Sequence, residues 1–347
     1  MSNAELNNYE TEEFDDFYNP MNSDRQARRK RKPRANPHER KQRKAAAAEL
    51  ADLTVMEAGF ETTYQPSRHE TGWLLQSIKA FFDMALINDV LAQVQGGKEA
   101  NVYRCAAHPD TGLTLVAAKV YRPRMFRNLR RDHVYRQGRD VLTPEGNAVG
   151  IHAERVHHAI RKKTSYGLEA AHTSWLMHEY RTLKTLHDAG GAVPQPLAAS
   201  GNAILMGYVG DERLSAPTLH EIALEPDEVA PLFAEVLRNI ELMLQHGMVH
   251  GDLSAYNILY WDGAITLIDF PQVVELATNT QAYDILARDI TRVCQYFARQ
   301  GLKRDAQAIL DDLWRRYGGP TPEERWSNEA RFLSEPESNW DDDEFED

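Results

Sequence analysis

The sequence predicts an α+β fold, and three patterns carry that expectation. Strand-like runs gather in one region, around the Gly-Gly turn at Gly96 and Gly97 and again at Ala203-Ile204-Leu205-Met206. Stretches with apolar residues at helical spacing flank that region and dominate the later part of the chain. Among the later helices lies a hairpin pattern, Ile258 to Ile268, with Asp262-Gly263 at its turn. Strands collected in one part of a chain and helices in another are the mark of α+β architecture.

At 347 residues the chain could hold two compact units plus tails. An apolar fraction of 42% with 27% charged residues fits a folded centre with polar ends. The net charge of −12 gives no overall argument for nucleic acid. Two cysteines, Cys105 and Cys294, exclude a disulfide framework and fit a reducing cytoplasm. No apolar run is long enough to cross a bilayer and the N-terminus lacks a signal-peptide pattern, so a soluble cytoplasmic protein without a membrane partner is expected.

Residues 1–50 read as an arm. Its first part is acidic, and RQARRKRKPRANPHERKQRK within residues 21–44 is strongly basic. Such a block cannot bury enough surface to offset its chain entropy and is expected to be disordered alone. It is either an arm for RNA or another polyanion, bound mainly through phosphates, or a solvated tail that the acidic segment upstream masks. A helical lead-in, 51–92, comes next, with Ala45 to Met56 helix-prone. Trp73 to Val94 carries Leu74, Leu75, Ile78, Phe81, Phe82, Met84, Ala85 and Ile87 at helical spacing and reads as a helix with one buried face.

LAQVQGGKEANVYRCAA and TGLTLVAAKVY then read as two strands about the Gly-Gly turn and a third strand ending in Lys119. The amides of Gly96 and Gly97 could approach phosphates with no Cβ in the way. The turn is not a Walker A loop, because Glu99 follows Lys98 where Ser or Thr is needed. Val116-Ala117-Ala118-Lys119 is similar to the V-A-I-K strand, whose lysine pairs with the α- and β-phosphates of a nucleotide. From Arg122 to Lys163 the sequence is a long polar and basic insertion. His152, His157 and His158 fall in it, but no Cys or clear carboxylate completes a tetrahedral set, so no metal site is expected there.

Trp175 to Asp188 is an amphipathic helix carrying Glu179, placed to hold Lys119 in a phosphate-facing rotamer. Gly190 to Pro196 is a breaker-rich loop, and after the strand ending in Met206 the chain relaxes into a connector, Gly207-Tyr208-Val209-Gly210, where an adenine would meet backbone groups. Pro226 to His246 is a further amphipathic helix, with Leu232, Phe233, Val236, Ile240 and Leu244 on its buried face. Helices Tyr283 to Arg299 and Asp305 to Tyr317 close the folded part, and the chain ends in an acidic run.

The stretch the chain is organised around is Val249 to Phe270, VHGDLSAYNILYWDGAITLIDF. Asp-Gly between two β-branched and aromatic runs is a strong turn signal. The hairpin is expected to return Asp269 beside Asp252 and Asn257. Asp252 would orient or deprotonate an attacking hydroxyl, while Asn257 and Asp269 would supply hard oxygen ligands to Mg²⁺. Phosphoryl transfer needs this set because a polyphosphate repels any oxygen nucleophile until its charge is neutralised.

With GKEANVY, AAKVY, the Glu179 helix, HGDLSAYNIL and LIDFPQ in order, the chain resembles the RIO family of atypical serine/threonine protein kinases, the type-one branch most closely, over roughly residues 75–300. The resemblance implies a two-lobed protein-kinase-like fold with a small β-rich N-lobe, 93–206, a reduced helical C-lobe, 207–320, and an acidic tail, 321–347. It implies ATP with Mg²⁺ or Mn²⁺, serine autophosphorylation or an ATPase-like cycle in which the residue matching Asp269 takes phosphate, and a role in maturing the small ribosomal subunit. Carried over by residue, Gly96, Gly97 and Lys98 belong to the phosphate loop, Lys119 pairs with Glu179, Met206, Gly207, Tyr208 and Val209 flank the adenine, Asp252 is catalytic, and Asn257 and Asp269 bind metal. The chain departs from the family in Gln95-Gly96-Gly97, where Ser-Thr-Gly is usual, in Gly207, where an acid is usual, and in the long insertion. Thr164 and Ser165 are candidate autophosphorylation sites. Gly251 stands where ordinary protein kinases have an Arg that reads activation-loop phosphate, and no Ala-Pro-Glu follows Asp269. The alternative from another class is a small-molecule phosphotransferase of aminoglycoside- or choline-kinase type, which also uses HGD, a downstream Asn and IDF.

Overall fold

The computed structural model describes residues 62–97, 99–122, 139–150, 153–162 and 164–321. The basic arm, Ala45 to Met56, Lys98, His152, most of the basic part of the insertion and the acidic tail lie outside the described residues. The described residues have an α+β arrangement with two apolar cores, one under the five-stranded sheet and one among the later helices.

Helix α1, Arg68–Asp83, precedes a five-stranded antiparallel sheet built from β1 (Ile87–Gly96), β2 (Ala100–Ala107), β3 (Leu115–Tyr121), β4 (Pro196–Ser200) and β5 (Ala203–Gly207), in the order β1-β2-β3-β5-β4. The helix expected to run to Val94 therefore stops at Asp83, and Ile87–Val94 is strand. Ala85 breaks the helix with φ of 53°. Beyond it, Ile87 and Val90 bury against the sheet core while Ile87 through Gly96 pair with β2. A short apolar run is ambiguous between the two periods, and here the β-branched residues and the available partner strand decide it. Strand β3 also runs two residues past Lys119, to Tyr121.

Helix α2, Glu154–Arg161, lies in the insertion and packs on α3, Ser165–Asp188. Helix α3 starts ten residues before the amphipathic pattern becomes obvious. Thr164 caps it by accepting from the Gly167 N–H at 3.1 Å. Gly167 is required for the crossing, because a Cβ there would sit 2.0 Å from the Ala159 carbonyl oxygen of α2.

The later part holds α4 (Val229–Gln245), α5 (Ala282–Arg299) and α6 (Ala306–Tyr317). All five expected apolar positions of α4 are buried. Asp305 caps α6, its Oδ1 accepting from Gln307 and Ala308. The apolar interior forms two clusters. One joins α1 to the sheet through Leu74, Ile78, Phe81, Tyr103 and Val116. The other is larger and joins α3, α4, α5 and α6, with Phe233 and Phe297 edge-to-face at 5.2 Å.

Strand β6 (Met248–Val249) pairs with β9 (Val274–Glu275), Val249 opposite Val274. Everything from His250 to Val273 is thus a loop closed at its base by one antiparallel pair. Within it β7 (Ile258–Trp261) and β8 (Ala264–Leu267) form the expected hairpin. Asp262 and Gly263, with φ of 48° and 76°, make its two-residue turn, the conformation Asp-Gly favours. Gly251 has φ of 84°, and a Cβ on it would lie 2.1 Å from the Gln272 carbonyl oxygen. The backbone of residue 251 leans on the turn leading to β9, and no side chain, arginine included, fits that approach.

Gly251→Ala should therefore cost at least about 2 kcal/mol, from positive φ plus the backbone clash. Gly112→Ala, at φ of 71° with nothing within 4 Å of the added carbon, should cost only about 1–2 kcal/mol. Urea midpoints of the two variants measure the difference, and equal costs would contradict the close-approach argument.

Candidate active site

Three elements far apart in sequence meet at one ammonium. Lys119 on β3 lies 2.6 Å from Glu179 Oε1 on α3 and 2.6 Å from Asp269 Oδ1 just after β8. The other Glu179 oxygen accepts from the Tyr121 hydroxyl, two residues along the same strand and so on the same side of it. Lys119 and Glu179 are both nearly enclosed, whereas 42% of the Asp269 side chain remains exposed. Burial alone would lower the Lys119 pKa, but Asp269 and Glu179 outweigh it and hold the ammonium above its ordinary range. Burial dominates at Glu179 and raises its carboxyl despite Lys119. At Asp269 burial pushes upward too, yet the lysine charge wins and the carboxyl is lowered. Asp269 is held at φ of 71°, unusual for a residue with a side chain, and sparsely populated backbone of this kind concentrates at functional sites.

His250 connects this centre to the rest of the loop. Its Nδ1 accepts the Asp252 N–H at 3.3 Å and its Nε2 faces the Ile268 carbonyl at 3.2 Å. The first contact places the proton on Nε2, so the neutral ring donates to the residue before Asp269. Burial is the largest influence on His250 and lowers its pKa, against the attraction of Asp289, Asp269 and Asp252. The Asn257 carbonyl accepts from Ile268 N at 3.0 Å, and Asn257 Nδ2 donates to the Asp252 carbonyl at 2.8 Å and lies 3.4 Å from Asp252 Oδ2. One imidazole and one amide therefore tie the segment after β8 to the loop before β7, and Asp252, Asn257 and Asp269 belong to one connected cluster.

That orientation tests the metal assignment. With Nδ2 committed to Asp252, Asn257 Oδ1 is the amide atom left over, and no hydrogen bond engages it among the described residues. An amide oxygen and a part-exposed carboxylate are the donor types a hard divalent cation takes, so the residues fit the group.

The glycine turn is tight at Gly97, whose N–H donates to the Ala100 carbonyl at 2.9 Å. A Cβ at Gly97 would lie 2.9 Å from that oxygen, and one at Gly96 2.7 Å from the flexible end of Gln93. Lys98 lies outside the described residues. Met206 pairs with Ala117 across the sheet, so the connector leaves β5 beside the strand of Lys119. Two connector groups are occupied within the protein: the Gly207 N–H donates to Gln195 O at 2.8 Å, and the Val209 carbonyl accepts from Ala216 N at 3.0 Å. The Tyr208 ring lies 6.0 Å below the Arg104 guanidinium.

Sequence reasoning missed three groups. Asp289 is buried on α5 and accepts the Gly251 N–H at 2.8 Å. Its signal was an acid within the apolar stripe of Leu286, Ile290 and Val293. Arg292, one turn on, lies 2.8 Å from Asp252 Oδ1, and only the tertiary contact reveals it. Arg139, in the insertion, donates to the Pro271 carbonyl at 2.9 Å and to the Val273 carbonyl. The next residue is held against α3, the Asp140 carbonyl lying 2.7 Å from His178 Nε2. The middle of the insertion is thus a brace between α3 and the segment after Asp269.

Residues 148–309 match the family model of the RIO domain. The chain is 31% identical over 228 residues to serine/threonine-protein kinase RIO1 of Chaetomium thermophilum, covering 62% of this chain and 41% of that protein. It is 31% identical over 221 residues to RIO-type serine/threonine-protein kinase Rio1 of Haloferax volcanii, covering 63% and 66%. It is 30% identical over 166 residues to human serine/threonine-protein kinase RIO3, covering 47% and 31%. The chain thus spans between about a third and two thirds of the length of these relatives. The domain match includes α5 as well as α3 and the loop from His250 to Val273, the elements that carry Glu179, Asp252, Asn257 and Asp269; residues 148–309 are thus a RIO domain, similar to those of type-one members.

Proposed function

We propose that the chain is an ATP-dependent serine/threonine protein kinase of RIO type, whose output is phosphorylation of itself or of another protein, ATP hydrolysis, or both. The observation that carries this reading is the convergence on Lys119 of Glu179 and Asp269, each at 2.6 Å, within one cluster that also holds Asp252 and Asn257. A structural ion pair needs one acid; a second acid, part exposed and at strained φ, beside an asparagine with an unengaged oxygen, is what a metal-nucleotide site requires.

In this reading Lys119 holds the α- and β-phosphates, oriented by Glu179. The turn at Gly96 and Gly97, with Lys98, covers the phosphates, and Met206, Gly207, Tyr208 and Val209 border the adenine. Because the Gly207 N–H and the Val209 carbonyl are already bonded within the protein, the adenine would use other backbone groups of the connector. Asn257 and Asp269 would hold Mg²⁺ or Mn²⁺, which when bound neutralises charge on the β- and γ-phosphates. Asp252 would accept or orient the hydroxyl proton of the acceptor. The partner of Asp252 is a cation, Arg292, which disfavours a phosphotransferase acting on a cationic small molecule. The resemblance to the RIO family supports a substrate in the small ribosomal subunit, reached through the basic arm, in the cytoplasm. Incubation of the purified protein with γ-labelled ATP, alone and with small ribosomal subunits, tests where the phosphate goes; no label on any protein and no phosphate release would refute the reading.

Asp269→Ala should abolish Mg²⁺-dependent turnover, and Lys119→Met should lower it at least about 100-fold. Unchanged turnover in Asp269→Ala would contradict the metal assignment. The buried neutral imidazole sets the acid side. A histidine whose folded pKa is lowered binds fewer protons folded than unfolded, so its contribution to stability falls as pH drops below the ordinary value of 6.5. His250 should titrate below 6.5 by NMR, and unfolding at a pH just below 6.5 should be accompanied by net proton uptake at this site; a His250 that titrates at or above 6.5 would exclude this.

A further inference from the structure

Helix α5 turns three charged side chains towards residues 250–253, and they do different things. Asp289 accepts the Gly251 N–H, and Arg288 donates to the Gly251 carbonyl. Both act on backbone. Arg292, four residues beyond Arg288 and so on the same helix face, acts on a side chain: its Nη1 lies 2.8 Å from Asp252 Oδ1. Asp252 is the only hydrogen-bond or ion-pair partner of Arg292 among the described residues. The loop backbone is therefore held without Arg292.

Stability does not account for the pair. The two side chains are 30% and 38% exposed, and an ion pair so open to water contributes about 1 kcal/mol or less. Orientation does account for it. The Asp252 carboxylate is 38% exposed, and packing alone does not fix the orientation of a carboxylate so open to water. Among the described residues its Oδ2 meets only the long 3.4 Å contact from Asn257 Nδ2, an amide hydrogen-bonded to the Asp252 carbonyl. With Oδ1 tied to the guanidinium, Oδ2 is the oxygen left to accept, and it lies on the Asn257 side.

We propose that Arg292 is a positioning residue: by holding Oδ1 it fixes the Asp252 carboxylate so that Oδ2 is the oxygen presented to the acceptor hydroxyl. The inference rests on the kinase reading above and adds to it the group that aims the base. It also explains why a cation is tolerated beside that base, since the guanidinium engages one oxygen and leaves the other in place. A lysine at 292 would supply charge without the planar fork and would aim the carboxylate less well.

The experiment is steady-state ATP turnover and label transfer by the full chain, comparing wild type, Arg292→Ala, Arg292→Lys, Asp252→Ala and the double variant Asp252→Ala/Arg292→Ala. A misaimed base costs on the order of 100-fold in rate. Arg292→Ala should lower kcat by about that factor with the KM for ATP essentially unchanged, because ground-state nucleotide binding does not use the pair. Arg292→Lys should recover about 10-fold of the loss. In the Asp252→Ala background, Arg292→Ala should lower kcat no further, because a residue that acts only through Asp252 has nothing left to aim. Undiminished kcat in Arg292→Ala, or an equal loss in the Asp252→Ala background, overturns the inference. Should Arg292→Ala fail to fold, Arg292→Gln carries the same comparison, and wild-type kcat in it is equally fatal. A wild type without transfer or hydrolysis overturns the kinase reading and this inference with it; an active wild type indifferent to residue 292 overturns this inference alone.

Discussion

The ammonium of Lys119, shared at 2.6 Å between Glu179 and Asp269, is the interaction on which the rest of the structure depends. It joins a strand of the sheet to the long helix α3 and to the segment after the β7–β8 hairpin, across 60 and 150 residues of chain. A buried lysine next to a single buried glutamate would sit close to the balance between desolvation and attraction. The second carboxylate tips that balance, and the result is a permanently charged ammonium between the sheet, α3 and the segment after β8. The balance is uneven across the three groups. Burial dominates at Glu179, whereas the lysine dominates at Asp269. The more exposed acid thus keeps its negative charge most readily, as a metal ligand must.

The loop from His250 to Val273 is anchored by apolar side chains such as Leu253, Ile258, Leu267 and Phe270 in the larger core and by a set of polar contacts. The β6–β9 pair closes its base. The absence of a side chain at 251 lets its backbone rest against Gln272. Asp289 and Arg288 on α5 grip the Gly251 amide and carbonyl, and the neutral His250 ring spans its two arms. Arg139 then braces the far arm through two carbonyls. In ordinary protein kinases a phosphorylated loop can do part of this work; here glycine, a buried acid and the middle of an insertion do it without a phosphate.

Much of this was legible in the sequence because it depended on local chemistry. Asp262-Gly263 specifies the tight turn it forms, since both residues must take positive φ. The apolar faces of α4 and α5 follow from the 3.6-residue period and lie where that period puts them. The spacing from Asp252 to Asn257 to Asp269, with the hairpin between, was enough to gather the three in one cluster. Two local readings failed where neighbours decided. Ile87 to Val94 has apolar residues that suit either period, and the partner β2 made it strand. The start of α3 was hidden by Gly167, a poor helix residue kept there because α2 crosses at its carbon.

By itself, then, the sequence determined the α+β class and the resemblance to the RIO family, and it singled out Lys119, Glu179, Asp252, Asn257 and Asp269 as candidates that the fold brings together, because residue type and spacing along the chain carry those signals. Tertiary structure alone decided that Lys119 bridges two acids rather than one, that Asp252 is paired with Arg292, and that Arg139 braces the segment after Asp269. Each of these joins groups 40 to 150 residues apart. A pairing of that kind leaves no periodic or spacing signal, since it depends on where helices and loops come to rest after their apolar faces are buried.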